Sequence, residues 1–217
     1  MPIRVVVVED EALFRELLVT TLRSFEALEV VAAYPTGELA LAALEQDLPD
    51  VALLDIELGE GETGVQTGLR MRRAYPEMGI VLLSNYDEPG VLMALPRGES
   101  YGWAYLLKKS VGTVATIIRA IEGTKDRLIV LDPHLVRALE PRQEGRVASL
   151  TPRQRDILRL LAQGYSNAGI ARELVIAPKS VENYISHVYQ ALGIDASETI
   201  IHARVKATLV FLEESVL

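Results

Sequence analysis

Cysteine is absent from the 217 residues, which excludes disulfide scaffolds, thiolate-bound zinc and thiol nucleophiles. Long apolar runs are absent too. No uninterrupted stretch reaches the ~18 residues of a membrane span, and residues 1–10 lack the shape of a signal peptide. There is no internal repeat and no low-complexity tract. No Gly-x-Gly-x-x-Gly follows the first apolar run, which excludes a nicotinamide-binding fold. Basic charge is not in excess: 22 Lys+Arg face 30 Asp+Glu, and a net charge of −8 argues weakly against nonspecific nucleic-acid binding. What the chain does have is apolar substance, 49% hydrophobic against 24% charged, enough for real cores and far from a disordered composition. A cytoplasmic protein of one large or two small domains is expected, with no membrane partner.

The charge is spread unevenly. Residues 1–125 carry 11 basic and 19 acidic side chains, whereas residues 126–217 carry 11 of each. The stretch 149–212 holds 7 basic and 5 acidic. Two domains of different character follow, and only the second would have to meet DNA.

The first 125 residues alternate short buried-strand runs with helical patterns. Ile3-Arg4-Val5-Val6-Val7-Val8 is too short for a helix and leads into Glu9-Asp10-Glu11. Further strand-like runs are 28–33, 51–54, 80–83 and 103–107, separated by helical spacing near 13–22, 36–45, 68–75 and 111–122. Five strands interleaved with helices predict βαβ units and a parallel sheet covered on both faces. Such sheets bind ligands beyond the carboxyl ends of their strands, so chemistry belongs just after each strand. After residue 125, runs 128–131 and 134–139 are apolar enough to pack locally. Glu140-Pro141-Arg142-Gln143-Glu144-Gly145-Arg146 then reads as a flexible linker. Beyond it only helical periods occur, with starts marked at Thr151-Pro152, Ser166-Asn167, Pro178 and Ser197.

The strand ends carry the chemistry. Glu9 and Asp10 end the first, Asp55 the third, Ser84 the fourth and Lys108 the fifth, so all converge on one rim. Clustered carboxylates repel one another and call for a cation. All-oxygen ligation by few side chains suits Mg²⁺. A carboxylate beside such a cation and an ammonium can accept a phosphoryl group, because both neutralise charge on the transferring oxygens. Residues 3–123 resemble a two-component receiver domain. That resemblance implies a flavodoxin-like α/β domain whose five-stranded parallel sheet has order 2-1-3-4-5. It also implies Asp55 as phosphoacceptor, and Mg²⁺ held by Glu9, Asp10, Asp55 and the Glu57 backbone carbonyl. Ser84 and Lys108 would bind the phosphoryl oxygens, with Tyr105 as a rotating aromatic. The sequence departs from the pattern in the loop 58–64, which lacks the usual proline and puts the helix restart near Gly68. It departs again in segment 85–102, where Pro89, Pro96 and Gly98 interrupt the expected fourth helix, since an interior proline costs roughly 3 kcal/mol.

Residues 150–192 describe a helix stopped at Gly164, a short second helix, a tight turn and a third helix that opens with small polar and basic residues. A helix-turn-helix presents the start of its second helix to the major groove. The segment resembles the LuxR-type helix-turn-helix, an all-α domain of four helices. Joined to a receiver it makes the chain resemble a NarL/FixJ-type response regulator. The resemblance places the recognition helix at 178–192. Lys179 and Ser180 would lie on phosphates and Glu182, Asn183 and Ser186 would face bases, while Arg153, Arg155, Arg172 and His187 touch the backbone. Arg159 either joins them or solvates its helix. In the last helix, 198–212, Ile201, Val205, Thr208 and Leu212 form a stripe, at least partly core and otherwise a dimer contact.

The domains are thus expected at 1–123 (receiver), 124–148 (linker with a short helix) and 149–217 (DNA-binding). The function expected is transcriptional regulation through phosphorylation of Asp55 by a sensor histidine kinase, with a homodimer on two promoter half-sites, and not enzymatic turnover. One alternative is a phosphorylation-independent DNA-binding regulator whose receiver serves dimerisation or ligand sensing. A remote one is a Mg²⁺-dependent phosphohydrolase using Asp55-Ile56-Glu57, which leaves 150–192 unexplained.

Overall fold

Four consecutive valines in β1 (Ile3–Val8) are buried on both faces of the strand, the signature of a strand inside a doubly covered parallel sheet. The computed structural model describes residues 1–59, 61–86, 101–110, 114–195, 197 and 199–216. After β1 come α1 (Ala12–Arg23), β2 (Leu28–Tyr34), α2 (Gly37–Asp47), β3 (Val51–Asp55), α3 (Gly64–Ala74), β4 (Gly79–Ser84) and β5 (Trp103–Leu107). A 3-10 turn (Lys108–Ser110), α4 (Val114–Lys125), β6 (Val130–Leu131) and α5 (Pro133–Ala138) follow. The sheet is parallel throughout, in order β2-β1-β3-β4-β5-β6. The expected order of the first five strands is found, but the sheet has six strands rather than five. The sixth is two residues long, too short to show a period. It is held because Asp132 N–H continues the ladder to the Tyr105 carbonyl at 2.9 Å. The buried Asp132 carboxylate also accepts from Leu107 N–H at 3.0 Å and from His134 N–H at 2.7 Å, capping α5 as it seals the β5 edge.

α3 corrects the expected restart near Gly68: it begins at Gly64, one turn earlier. Thr63 and Gln66 form a reciprocal capping box there, which supplies the start signal. Gly64 is required at this point, because a Cβ would lie 2.0 Å from the Asp55 carbonyl oxygen. Of the irregular segment 85–102, residues 87–100 lie outside the described residues.

The run 140–146 is not a free tether. β7 (Glu140–Pro141) pairs antiparallel with β8 (Ser215–Val216) at the other end of the chain. Arg142 N–H donates to the Glu214 carbonyl at 2.8 Å, and the Glu214 carboxylate accepts from Arg146 Nε at 2.7 Å and Val147 N–H at 2.9 Å. The linker is therefore clasped to the C-terminus. Four helices make up the last layer: α6 (Pro152–Ala162), α7 (Asn167–Glu173), α8 (Pro178–Ala191) and α9 (Ile200–Glu213). In α9, Val205, Thr208 and Leu212 are buried within this chain, so that part of the stripe is core.

One apolar cluster, with Val5, Leu18, Leu22, Leu53, Ile117 and Ile121, fills the α1/α4 side of the sheet. The other starts at Leu54, Met71 and Trp103 on the α2/α3 side. It runs through Leu131, Leu135 and Val147 to Ile157, Val181 and Phe211. The sheet and the helical layer thus share continuous apolar contact.

Candidate functional site

The carboxyl ends of β1, β3 and β5 bring Glu9, Asp10, Asp55 and Lys108 together, as the parallel topology requires. Glu9 and Asp55 are almost completely buried, whereas Asp10 is exposed. Lys108 Nζ donates to Asp55 Oδ2 at 2.9 Å and to Glu9 Oε1 at 3.0 Å, and lies 4.9 Å from the centre of the Phe14 ring. Asp55 Oδ1 accepts from Glu57 N–H at 3.2 Å. Carboxylate oxygens of Glu9, Asp10 and Asp55 lie within 4.8 Å of one another, a spacing that suits a shared cation. Burial pushes the Glu9 carboxyl up to about 7, with the Asp55 charge adding and Lys108 opposing. Burial also raises Asp55 against the pull of Lys108 and the Glu57 N–H. For Lys108, burial disfavours the charge, but its bonds to Asp55 and Glu9 outweigh this and raise its pKa. A cavity of about 660 Å³ opens onto these groups, lined also by Glu57, Gly59, Thr63 and Asn85.

Ser84 is not brought into this cluster. Its hydroxyl donates to the Tyr86 carbonyl at 3.2 Å and accepts from Tyr86 N–H at 3.0 Å, so it faces the following loop. The buried Tyr105 hydroxyl donates to the same carbonyl at 2.7 Å. The residue from the end of β4 that does line the cavity is Asn85, whose amide donates to Glu57 Oε2 at 3.1 Å. Sequence reasoning also missed Arg15, which donates to the Glu9 carbonyl at 2.6 Å and the Asp10 carbonyl at 3.2 Å. Its one available signal was position, a first-turn basic residue one helical turn after Glu11.

At the other end of the molecule α8 divides cleanly. Val181, Ile185, Val188 and Tyr189 are buried, while Lys179, Glu182, Asn183, Ser186 and His187 are exposed at i, i+3, i+4, i+7 and i+8, on one face. Ser180 is half-buried at the helix start. Lys179 pairs with Glu182 at 2.8 Å, and the Ser186 hydroxyl donates to the Glu182 carbonyl. Arg155 is half-buried, and Arg153 is turned inward to the Leu174 carbonyl at 3.2 Å. Arg172 is exposed but lines a cavity with Glu122 of α4 and Asp126 just beyond it. Arg159 points away from this face, 4.0 Å from Glu140.

Two family models match the chain in tandem: "Response regulator receiver domain" over residues 5–122 and "Bacterial regulatory proteins, luxR family" over residues 148–203. The chain belongs to the response-regulator family. The regulator is 34% identical over 197 residues to the "Probable transcriptional regulatory protein NarL" of Mycobacterium tuberculosis, covering 88% of each chain. It is 27% identical over 218 residues to the "Oxygen regulatory protein NreC" of Staphylococcus epidermidis, covering 95% of this chain and 98% of that one. Among solved structures, one described as "two RcsB dimers bound to two parallel DNAs" shares the fold with a TM-score of 0.55 and 18% identity, covering 99% of both chains. The regulator thus carries an N-terminal receiver and a C-terminal LuxR-type DNA-binding module. Among its described residues no helix is long and apolar enough to cross a membrane.

Proposed function

We propose that this response regulator is switched by transfer of a phosphoryl group from the phosphohistidine of a sensor kinase to Asp55. The observation that carries the reading is the Glu9–Asp55–Lys108 constellation at the mouth of an open cavity. A carboxylate oxygen of Asp55 attacks phosphorus, the P–N bond breaks, and the imidazole leaves with a proton from solvent. Lys108 follows the transferring oxygens as charge moves from the carboxylate to the phosphoryl group. The donor set also fits a divalent cation. Glu9 Oε2 is buried without a hydrogen-bond partner among the described residues, and the carboxylates of Asp10 and Asp55 converge with that of Glu9. Glu9, Asp10, Asp55 and the Glu57 carbonyl would hold Mg²⁺, which supplies charge neutralisation at the phosphoryl oxygens when bound. Ser84 reaches the phosphoryl group only by leaving Tyr86. That move frees one of the two donors on the Tyr86 carbonyl and alters the partner of Tyr105. The loop after β4 is thereby the first part of the fold to register phosphorylation.

The exposed stripe of α8 supports DNA reading by Asn183, Glu182 and Ser186, with Lys179, Ser180, His187, Arg155 and Arg172 on phosphates. Arg153 serves better as a cap on α7. Two copies on two half-sites match the symmetry usual for such domains. This reading divides the chain into a receiver at 1–123, a connecting segment at 124–148 and a DNA-binding domain at 149–217, and it involves no catalytic turnover. The test is intact mass after incubation with Mg²⁺ and a small-molecule phosphodonor. Wild type gains one phosphoryl adduct and D55N gains none. Equal adducts on both, or none on wild type with its cognate kinase, overturn the assignment.

A further inference from the structure

A second cavity, of about 560 Å³, lies between the receiver and the DNA-binding module, and its walls come from both. Three arginines line it: Arg119 from α4, Arg137 from α5 and Arg159 from α6. Some guanidinium groups of this acidic chain find carboxylates, as Arg70 does on Glu62, Arg127 on Glu77 and Arg146 on Glu214. These three do not. Arg119 stacks on Tyr165 at 4.1 Å and donates Nε to the Gln163 carbonyl, leaving its terminal nitrogens without a protein acceptor among the described residues. Arg137 reaches only His134 Nδ1, and Arg159 approaches only Glu140, at 4.0 Å. The two acidic residues of the wall, Asp156 and Glu173, pair with none of them. Beside them the Ser110 hydroxyl is buried without a hydrogen-bond partner among the described residues. The cavity is within the ~300–1,000 Å³ range of small-molecule sites.

We propose that this interdomain cavity binds a small ligand carrying a chain of phosphate groups. Planar guanidinium forks match phosphate oxygens in bidentate geometry; the stack and the Nε hydrogen bond behind Arg119 hold its fork ready, while Arg137 is steadied through one terminal nitrogen by His134. The ligand touches both domains, so it favours the docked arrangement and couples a soluble anion to DNA binding, independently of Asp55. The shared chemistry is a polyphosphate, free or as part of a nucleotide.

The test is titration calorimetry on the full chain in metal-free buffer of fixed ionic strength, with inorganic tripolyphosphate and with ATP. Wild type and D55N take up one equivalent saturably. R137Q/R159Q weakens uptake about tenfold or more, since each charge-assisted hydrogen bond lost is worth about that factor. R137K/R159K keeps the charge, loses the fork and falls between the two. Melting followed by circular dichroism checks that the variants fold as wild type does. ATP bound no tighter than tripolyphosphate identifies the phosphate chain as the part read, and tighter ATP identifies a nucleotide; both uphold the site. Absence of saturable uptake by wild type overturns the proposal, as does uptake unaffected by R137Q/R159Q. Uptake lost in R155Q/K179Q but kept in R137Q/R159Q places the anion on the DNA-facing surface and overturns it equally.

Discussion

At the residue scale, the sharpest misfit between side chain and backbone lies in the turn that sets the recognition helix. Val175 N–H bonds to the Arg172 carbonyl and Ile176 N–H to the Ala171 carbonyl, the two bonds of a Schellman stop after α7. The same motif closes α6 at Gly164 and α8 at Gly193, where glycine takes the left-handed conformation without cost. Val175 takes it at φ +53° although it is β-branched, and the residue is 89% exposed, so no burial compensates. Left-handed geometry costs roughly 1–2 kcal/mol for such a residue. V175N, which tolerates that conformation, is expected to stabilise the DNA-binding module by about 1 kcal/mol in urea unfolding; an unchanged or lower midpoint would show the turn to be unstrained. Residue-scale chemistry was legible where topology did the work. Asp55 ends a strand and Glu9, Asp10 and Lys108 each follow one, and parallel pairing brings strand ends together whatever their sequence separation. Ser84 shows the limit of that logic. Its position at the end of β4 is right, but the direction of its hydroxyl depends on Tyr86, and no spacing rule encodes a rotamer.

At the element scale, the segments with a period were legible and the shortest were not. Short apolar runs mark β1, β3 and β4, and capping residues mark α6 and α7, all from local sequence. β6 and β7 are two residues each and carry no period. β7 looked like linker because Pro141 and Gly145 are loop residues, and its partner stands more than 70 residues downstream. What holds that pair is Glu214, only 18% exposed. Burial works against its charge, but the Val147 N–H and the Arg146 guanidinium prevail and keep its pKa below the ordinary 4.5. The folded state therefore binds fewer protons here than the unfolded chain. The stabilisation is complete above the unfolded value and is lost as pH falls through the folded one. E214Q is expected to cost about 1–2 kcal/mol at neutral pH and to open residues 142–146 to proteolysis, with the deficit shrinking as pH drops below about 4.5. Urea unfolding of both proteins across that range is the check, and a deficit constant with pH would remove Glu214 from the role.

At the scale of the whole molecule, one polar contact stands out where the two domains meet. Arg119 of α4 stacks on Tyr165 and bonds the Gln163 carbonyl at 2.8 Å, and Gly164 sits so close to Val130 that a Cβ there would approach its Cγ2 to 2.8 Å. Docking uses the end of α6 and the start of α7, not the outer face of α8. Lys179, Glu182, Asn183, Ser186 and His187 all remain exposed while the domains are docked. Covering the recognition helix is therefore not how this arrangement restrains DNA binding. A docked receiver would instead set the direction in which α8 points, the linker being clasped to the C-terminus. A single half-site places no demand on that direction, whereas two half-sites demand that a pair of helices reach the groove together. R119A, which removes both the stack and the Gln163 bond, is accordingly expected to raise the radius of gyration in solution scattering. Its affinity for a single half-site, taken from duplexes selected by wild type, should stay within about twofold, less than 0.5 kcal/mol. Its affinity for the paired site should change by more, and phosphorylation should alter that affinity less in R119A than in wild type. A large gain on the single half-site would mean that docking hides the reading surface after all, and that the exposed stripe of α8 is not where the protein first touches DNA.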